Sequence, residues 1–172
     1  MPPLEKTESQ SFRVDRRIMT ILREESKRKN ISLSGLVNQI LTTFADYGRF
    51  ADRMNALSLA RKTFTSILNS VSDEDVARAA EIEGKSSPIA YITSMSGDIT
   101  PDRVVDFIDD LSKHAHLFEY SIESESPPTY TLVHELGSKW SIFLAHYLGE
   151  AFKSAGAQVK FTISDRAVTF SL

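Results

Sequence analysis

The sequence predicts an α+β fold, built in two parts. Three observations carry the prediction. A lone run near the N-terminus, Gln10 to Val14, alternates polar and apolar residues, the period of a half-buried strand. Apolar stripes of helical period then follow one another as far as Leu111. The last third alternates again on both sides of one strong helical stripe, giving the order strand–strand–helix–strand–strand.

In the first part, Phe12 and Val14 point one way along the strand, and Ser9, Ser11 and Arg13 the other. Asp15 opens a helix with Ile18, Ile21, Leu22 and Ser26 on one face. Asn30 is its stop, because asparagine tolerates the left-handed conformation that ends helices. Ser32 is an N-cap, and Leu33, Leu36, Val37, Ile40, Leu41 and Phe44 form the stripe of a second helix. Gly48 marks a break or bend. Residues 1–8 read as a flexible polar tail.

Phe50, Met54, Leu57, Arg61, Phe64, Leu68 and Val71 follow at alternating steps of four and three, a heptad seam interrupted by Arg61. It reads either as a short dimeric coiled coil or as an amphipathic helix lying on its own domain. The interruption favours the second. Either way, residues 49–71 are expected to be one linker helix.

Residues 72–172 supply apolar faces of their own and are expected to fold without the rest. Ser72 caps a helix with Asp73, Glu74 and Asp75 in its first turn, ending near Gly84. Ser87-Pro88 starts a segment to Met95 that fits either a helix or a strand. Thr100-Pro101 starts a clearer helix carrying Val104, Val105, Phe107, Ile108 and Leu111. Phe118, Tyr120 and Ile122 alternate as a strand, Ser126-Pro127-Pro128 turns the chain, and Tyr130 and Leu132 continue in a second strand. Ser138 is expected to cap a helix with Trp140, Phe143, Leu144, Tyr147, Leu148, Ala151 and Phe152 on one face, covered by the sheet. Gly156 ends it. Val159, Phe161 and Ile163 pair with Val168, Phe170 and Leu172 in a hairpin around Asp165-Arg166.

The N-terminal segments carry a resemblance. The strand Ser11-Phe12-Arg13-Val14-Asp15, the helix Arg17 to Lys29 and the turn Asn30-Ile31-Ser32-Leu33-Ser34-Gly35-Leu36-Val37 resemble the ribbon-helix-helix fold of Arc/MetJ/CopG-type repressors. The resemblance covers residues 9–44. It implies an intertwined homodimer in which two chains pair their strands and four helices enclose Phe12 and Val14. It also implies that the ribbon enters the major groove of double-stranded DNA. Ser9, Ser11 and Arg13 then face base edges, where an arginine can donate two bonds to guanine. Backbone N–H groups at Ser34 and Gly35, at the start of the second helix, suit a phosphate, with Lys6 adding a further phosphate contact. The expected domains are thus a tail (1–8), a ribbon-helix-helix domain (9–48), a linker helix (49–71) and a C-terminal α+β domain (72–172).

Net charge is −3, which by itself argues against a polyanionic partner. Its distribution argues the other way. Residues 1–50 hold nine Lys/Arg against six Asp/Glu, and residues 51–172 eleven against seventeen. The excess positive charge therefore lies with the proposed DNA-binding residues. No cysteine is present, which removes disulfides, thiolate metal sites and cysteine nucleophiles. No apolar run reaches membrane-spanning length and Met1-Pro2-Pro3-Leu4-Glu5 is not a signal peptide, so a cytoplasmic protein without membrane contact is expected.

Glycine-rich phosphate loops, Gly-x-Ser-x-Gly elbows and zincin patterns are missing from the sequence, so no catalytic residue, cofactor or enzyme activity is expected. The acidic pairs Asp109-Asp110 and Asp73-Glu74-Asp75 read as solvated faces and caps. His114 and His116 sit at a helix end, His134 on the strand face of Tyr130 and Leu132, and His146 off the stripe of its helix. Their spacing matches no metal-ligand pattern, so no metal is expected. The reading is a sequence-specific DNA-binding transcriptional regulator, a repressor by its resemblance. Its C-terminal domain would sense an effector of unidentified chemistry, hold a protein partner, or build a higher oligomer. The alternative is an antitoxin-like interaction module using the same fold for dimerisation. Such antitoxins carry short disordered tails, and a hundred-residue domain with its own core argues against that.

Overall fold

The computed structural model describes residues 8–53, 56–123 and 126–172. The fold is mixed helix and sheet, as expected for α+β. The chain divides into two compact units, one ending at Ala45 and one spanning Asp46–Leu172. Lys6 and Met54 lie outside the described residues.

The first unit is a pair of helices, α1 (Arg16–Arg28) and α2 (Leu33–Thr43). Asp15 caps α1, its carboxylate accepting from Arg17 N at 2.8 Å and Ile18 N at 3.4 Å. Asn30 takes the left-handed conformation, φ +53°. The N–H of Ile31 then reaches Ser26 O at 3.0 Å and that of Asn30 reaches Lys27 O at 3.1 Å, which satisfies the last carbonyls of α1. Ser32 caps α2 through a 3.0 Å bond from Gly35 N. Ser26 is buried, its hydroxyl satisfied by Arg23 O at 3.0 Å. One expectation fails here. Residues 8–14 form no strand, since a strand needs a ladder partner and none of the described segments supplies one.

In the second unit a π-helical turn, Phe44–Gly48, within which the boundary falls, precedes α3 (Arg49–Arg53). Helices α4 (Arg61–Asn69), α5 (Asp73–Gly84), α6 (Ser87–Ser96) and α7 (Pro101–Asp110) follow. The expected linker helix is corrected: residues 57–60 are not helical, and α3 and α4 are separate. The heptad spacing does not form a seam. Phe50, Phe64 and Leu68 turn into their own unit's core, while Leu57 is 88% exposed. The open reading of Ser87 to Met95 resolves to a helix with Pro88 in its first turn.

A second π-helical turn, Leu111–Ala115, leads to the strands β1 (Glu119–Glu123), β2 (Thr129–Val133), β3 (Phe161–Ile163) and β4 (Ala167–Ser171). The sheet is antiparallel, in the order β1-β2-β4-β3. Tyr120 pairs with Leu132, Leu132 with Val168, and Phe161 with Phe170. Strand β4 thus inserts between β2 and β3, the two strands joined by helix α8 (Ser138–Ser154).

Helix α8 is buried on two sides. Toward the sheet, Phe152 meets Phe161 and Phe170 with ring centroids 6.5 and 5.3 Å apart. On the other side, Phe64 of α4 meets Trp140 edge-on at 5.3 Å. The stripe is therefore divided: Phe152 lies on the sheet as expected, while Trp140 is covered by helix α4. Helix α5 crosses close to α8 at Gly84, where a Cβ would lie 2.4 Å from the Tyr147 carbonyl oxygen. Only glycine allows that approach. Ser138 is not the cap of α8 either. That position belongs to Gly137, whose φ of +84° disfavours any other residue. The left-handed Gly156 closes α8 with bonds from Gly156 N to Lys153 O at 3.1 Å and Ala157 N to Phe152 O at 2.9 Å.

Candidate nucleic-acid interface

The segment before α1 and the start of α2 hold the residues expected to meet DNA. Ser9, Ser11 and Arg13 are exposed in the irregular stretch leading to the Asp15 cap. At the start of α2, the Gly35 N–H is already bonded to Ser32 Oγ at 3.0 Å. Ser34 N–H has no acceptor among the described residues. Of the two amides, Ser34's is therefore the one free to take a phosphate.

Among the described residues, the charged ends of the Arg13, Arg16, Arg17, Arg23 and Lys27 side chains make no ion pair with a carboxylate. Glu25 instead offsets part of the positive charge at the end of α1. It binds Arg28 at 2.6 Å and Lys29 at 3.9 Å, and the Arg28 hydrogen bond holds its carboxyl below the ordinary range. The first unit thus presents unmatched positive charge from its N-terminal segment through most of α1.

The same unit leaves its apolar stripe uncovered. Phe12 is 70% exposed, and Val14, Ile18, Ile21, Ile40, Leu41 and Phe44 are all exposed beside it. Leu36 is its one buried apolar side chain among the described residues. No family model, curated protein or solved structure matches this chain.

The second unit holds polar groups of a different kind. His134 is buried against Ser141, with Nε2 2.9 Å from Ser141 Oγ. The Leu136 N–H donates to Nδ1 at 3.3 Å, so the ring proton sits on Nε2 and donates to Ser141. Ser141 in turn donates to the Ser164 carbonyl at 2.5 Å. This chain ties the end of β2, the first turn of α8 and the β3–β4 turn together. With Ser141 fully buried, the pair is structural and not a nucleophile with its base.

Burial first, and Arg166 second, push the His134 pKa below the ordinary 6.5. The unfolded chain then binds this proton more tightly than the folded one. The His134 contribution is full above about pH 6.5 and is lost as pH falls toward the lower folded value. His134→Gln is expected to lower stability by about 1–3 kcal/mol near pH 8. Its deficit against the parent should shrink toward about pH 5. Chemical denaturation of both proteins across that range checks it, and a deficit independent of pH would refute the linkage.

The other histidines disperse. His114 stacks on Tyr47 at 5.9 Å, His146 pairs with Glu81 at 3.0 Å, and His116 takes a left-handed φ of +53° at the end of the second π-helical turn. Asp109 is ion-paired with Lys113. Asp110 departs from the solvated role expected of it. It is half-buried, accepts from Tyr91 Oη at 2.8 Å, and desolvation raises its pKa. Sequence reading overlooked it because its partner, Tyr91, lies on another helix. Among the described residues no helix is long and apolar enough to cross a membrane.

Proposed function

We propose that the chain is a homodimeric, cytoplasmic, sequence-specific DNA-binding regulator of ribbon-helix-helix type. Residues 10–14 of two copies would pair as a ribbon in the major groove. Ser9, Ser11 and Arg13 would then face the bases, and Ser34 a phosphate. The observation that carries this reading is the uncovered stripe of the first unit. Phe12, Val14, Ile18, Ile21, Ile40, Leu41 and Phe44 are exposed on the residues that a second copy would enclose.

Full burial of such a side chain is worth about 1.5–3 kcal/mol, so covering the exposed fraction contributes on the order of 1 kcal/mol apiece. Chains under about 40 residues usually need disulfides, metals or oligomerisation to fold. The helix pair from Asp15 to Phe44 is shorter than that and has no cysteine. A second copy supplies both missing pieces at once, the ladder partner for residues 10–14 and the cover for the stripe. The unmatched arginines of the same unit favour a polyanion over a neutral protein partner.

Light scattering on the full chain is expected to give a dimer at micromolar concentration. A titration of the DNA upstream of its own coding sequence is expected to saturate, with affinity falling steeply as salt rises. A folded, monodisperse monomer, or binding that does not discriminate that DNA from a scrambled duplex, would sink the proposal.

A further inference from the structure

The second unit carries a groove of about 1210 Å³ that the DNA-binding reading leaves unused. Pockets that hold small organic ligands enclose roughly 300–1,000 Å³ and are mostly apolar, with a few polar groups fixing orientation. The floor here is aromatic. Phe64 stands edge-on to Trp140 at 5.3 Å, and Phe143 stacks on Trp140 at 4.9 Å. A flat or flexible apolar body can lie on such a surface with little conformational cost.

One mouth of the groove is cationic. Arg61 lines it, 55% exposed at its side chain, and its guanidinium reaches Glu135 and the His116 carbonyl at 3.4 Å each. Both contacts are at the long limit for a hydrogen bond, so the guanidinium is loosely held. Glu135 is shared with Arg166 at 3.3 Å. Two guanidiniums on one carboxylate leave one positive charge unmatched there. Two carboxylates also line the groove: Asp75, which is held by Ser72 and Arg78, and Asp52, which lies on α3. An apolar floor leading to an unmatched, forked cation fits one ligand chemistry best.

We infer that this groove binds a small amphipathic carboxylate. Its apolar body lies on Phe64, Trp140 and Phe143, and its carboxylate takes the guanidinium of Arg61. The inference does not depend on the first unit binding DNA, and its test contains no DNA.

The test is calorimetric titration of the full chain with 1-naphthoate and decanoate, against the neutral 1-naphthylmethanol and decanol. The acids are expected to bind saturably, once per chain, at least about five-fold tighter than the alcohols. Arg61→Ala, a change at an exposed side chain, is expected to abolish that preference while leaving the circular dichroism unchanged. Ala79→Trp, which fills the groove from an exposed position on α5, is expected to remove binding of both kinds. Absence of saturation at millimolar ligand would overturn the inference. So would alcohols binding as tightly as acids, or acid binding that survives Ala79→Trp. A change of oligomeric state in Ala79→Trp without acid binding to the parent would assign the groove to a second copy of the chain instead.

Discussion

Arg13→Ala is expected to cost ten-fold or more in specific DNA affinity while the dimer stays folded. Arg13 is exposed in the segment before α1 and has no carboxylate partner among the described residues, so none of their carboxylates competes for the guanidinium. On the proposed reading the two-fold axis presents it twice per complex. A bidentate contact to guanine is worth about 1–3 kcal/mol of discrimination for each base. Preference should therefore flatten at one base in each half-site. Arg23→Ala is the comparison. Arg23 lies on α1 and is equally unmatched, and its loss should change mainly the salt dependence of binding. Quantitative titrations at two salt concentrations, with circular dichroism to verify folding, separate the two outcomes. If Arg13→Ala binds the upstream DNA as tightly and as selectively as the parent, Arg13 does not read bases.

Removing residues 1–71 is expected to abolish cooperative folding of the second unit, while removing only residues 1–45 is expected to preserve it. The sequence pointed to the opposite result for a fragment beginning at Ser72. The structure reverses it because the residues before Ser72 belong to the core. Phe50 meets Tyr91 edge-on at 4.5 Å, Phe64 covers Trp140, and Leu68 is buried. The Lys139 ammonium also bonds to the carbonyls of Asn69, at 3.3 Å, and Val71, closing the end of α4. Losing a buried large apolar side chain costs about 2–5 kcal/mol. Losing Leu68 together with the half-buried Phe50 and Phe64 removes a large part of the roughly 5–15 kcal/mol that holds a whole domain. Thermal unfolding of the two fragments by circular dichroism checks this. A sharp transition in the fragment from Ser72, at the temperature of the longer one, would show that α3 and α4 are dispensable.

These two predictions draw on different kinds of legibility. Arg13 was singled out by alternation along a few residues, and the pairing that would give it meaning lies between chains. The covered face of Trp140 depends on Phe64, far away in sequence. The periodicity of residues 50–71 was real, but a period records only that one face is buried. It does not say against what, and two short helices seated on one core satisfy the same spacing as one long helix.

What the sequence determined by itself was local: where helices begin and end, and which runs alternate. Asn30 and Gly156 stop helices because their backbones accept the left-handed conformation. Ser32, Ser72 and Thr100 start them because their side-chain oxygens take an amide a few residues on. The hairpin around Asp165-Arg166 falls where the alternation places it. What only the tertiary structure decided depends on residues that meet from afar. It set the break between α3 and α4, the insertion of β4 between β2 and β3, and the helical cover over Trp140. It also set the half-buried Asp110 under Tyr91 and the loosely held Arg61 at the groove. The physical reason is one of range: caps and turns are settled within a few residues by backbone hydrogen bonds, whereas burial, desolvation and charge pairing are settled by whichever distant surface the packed core brings alongside.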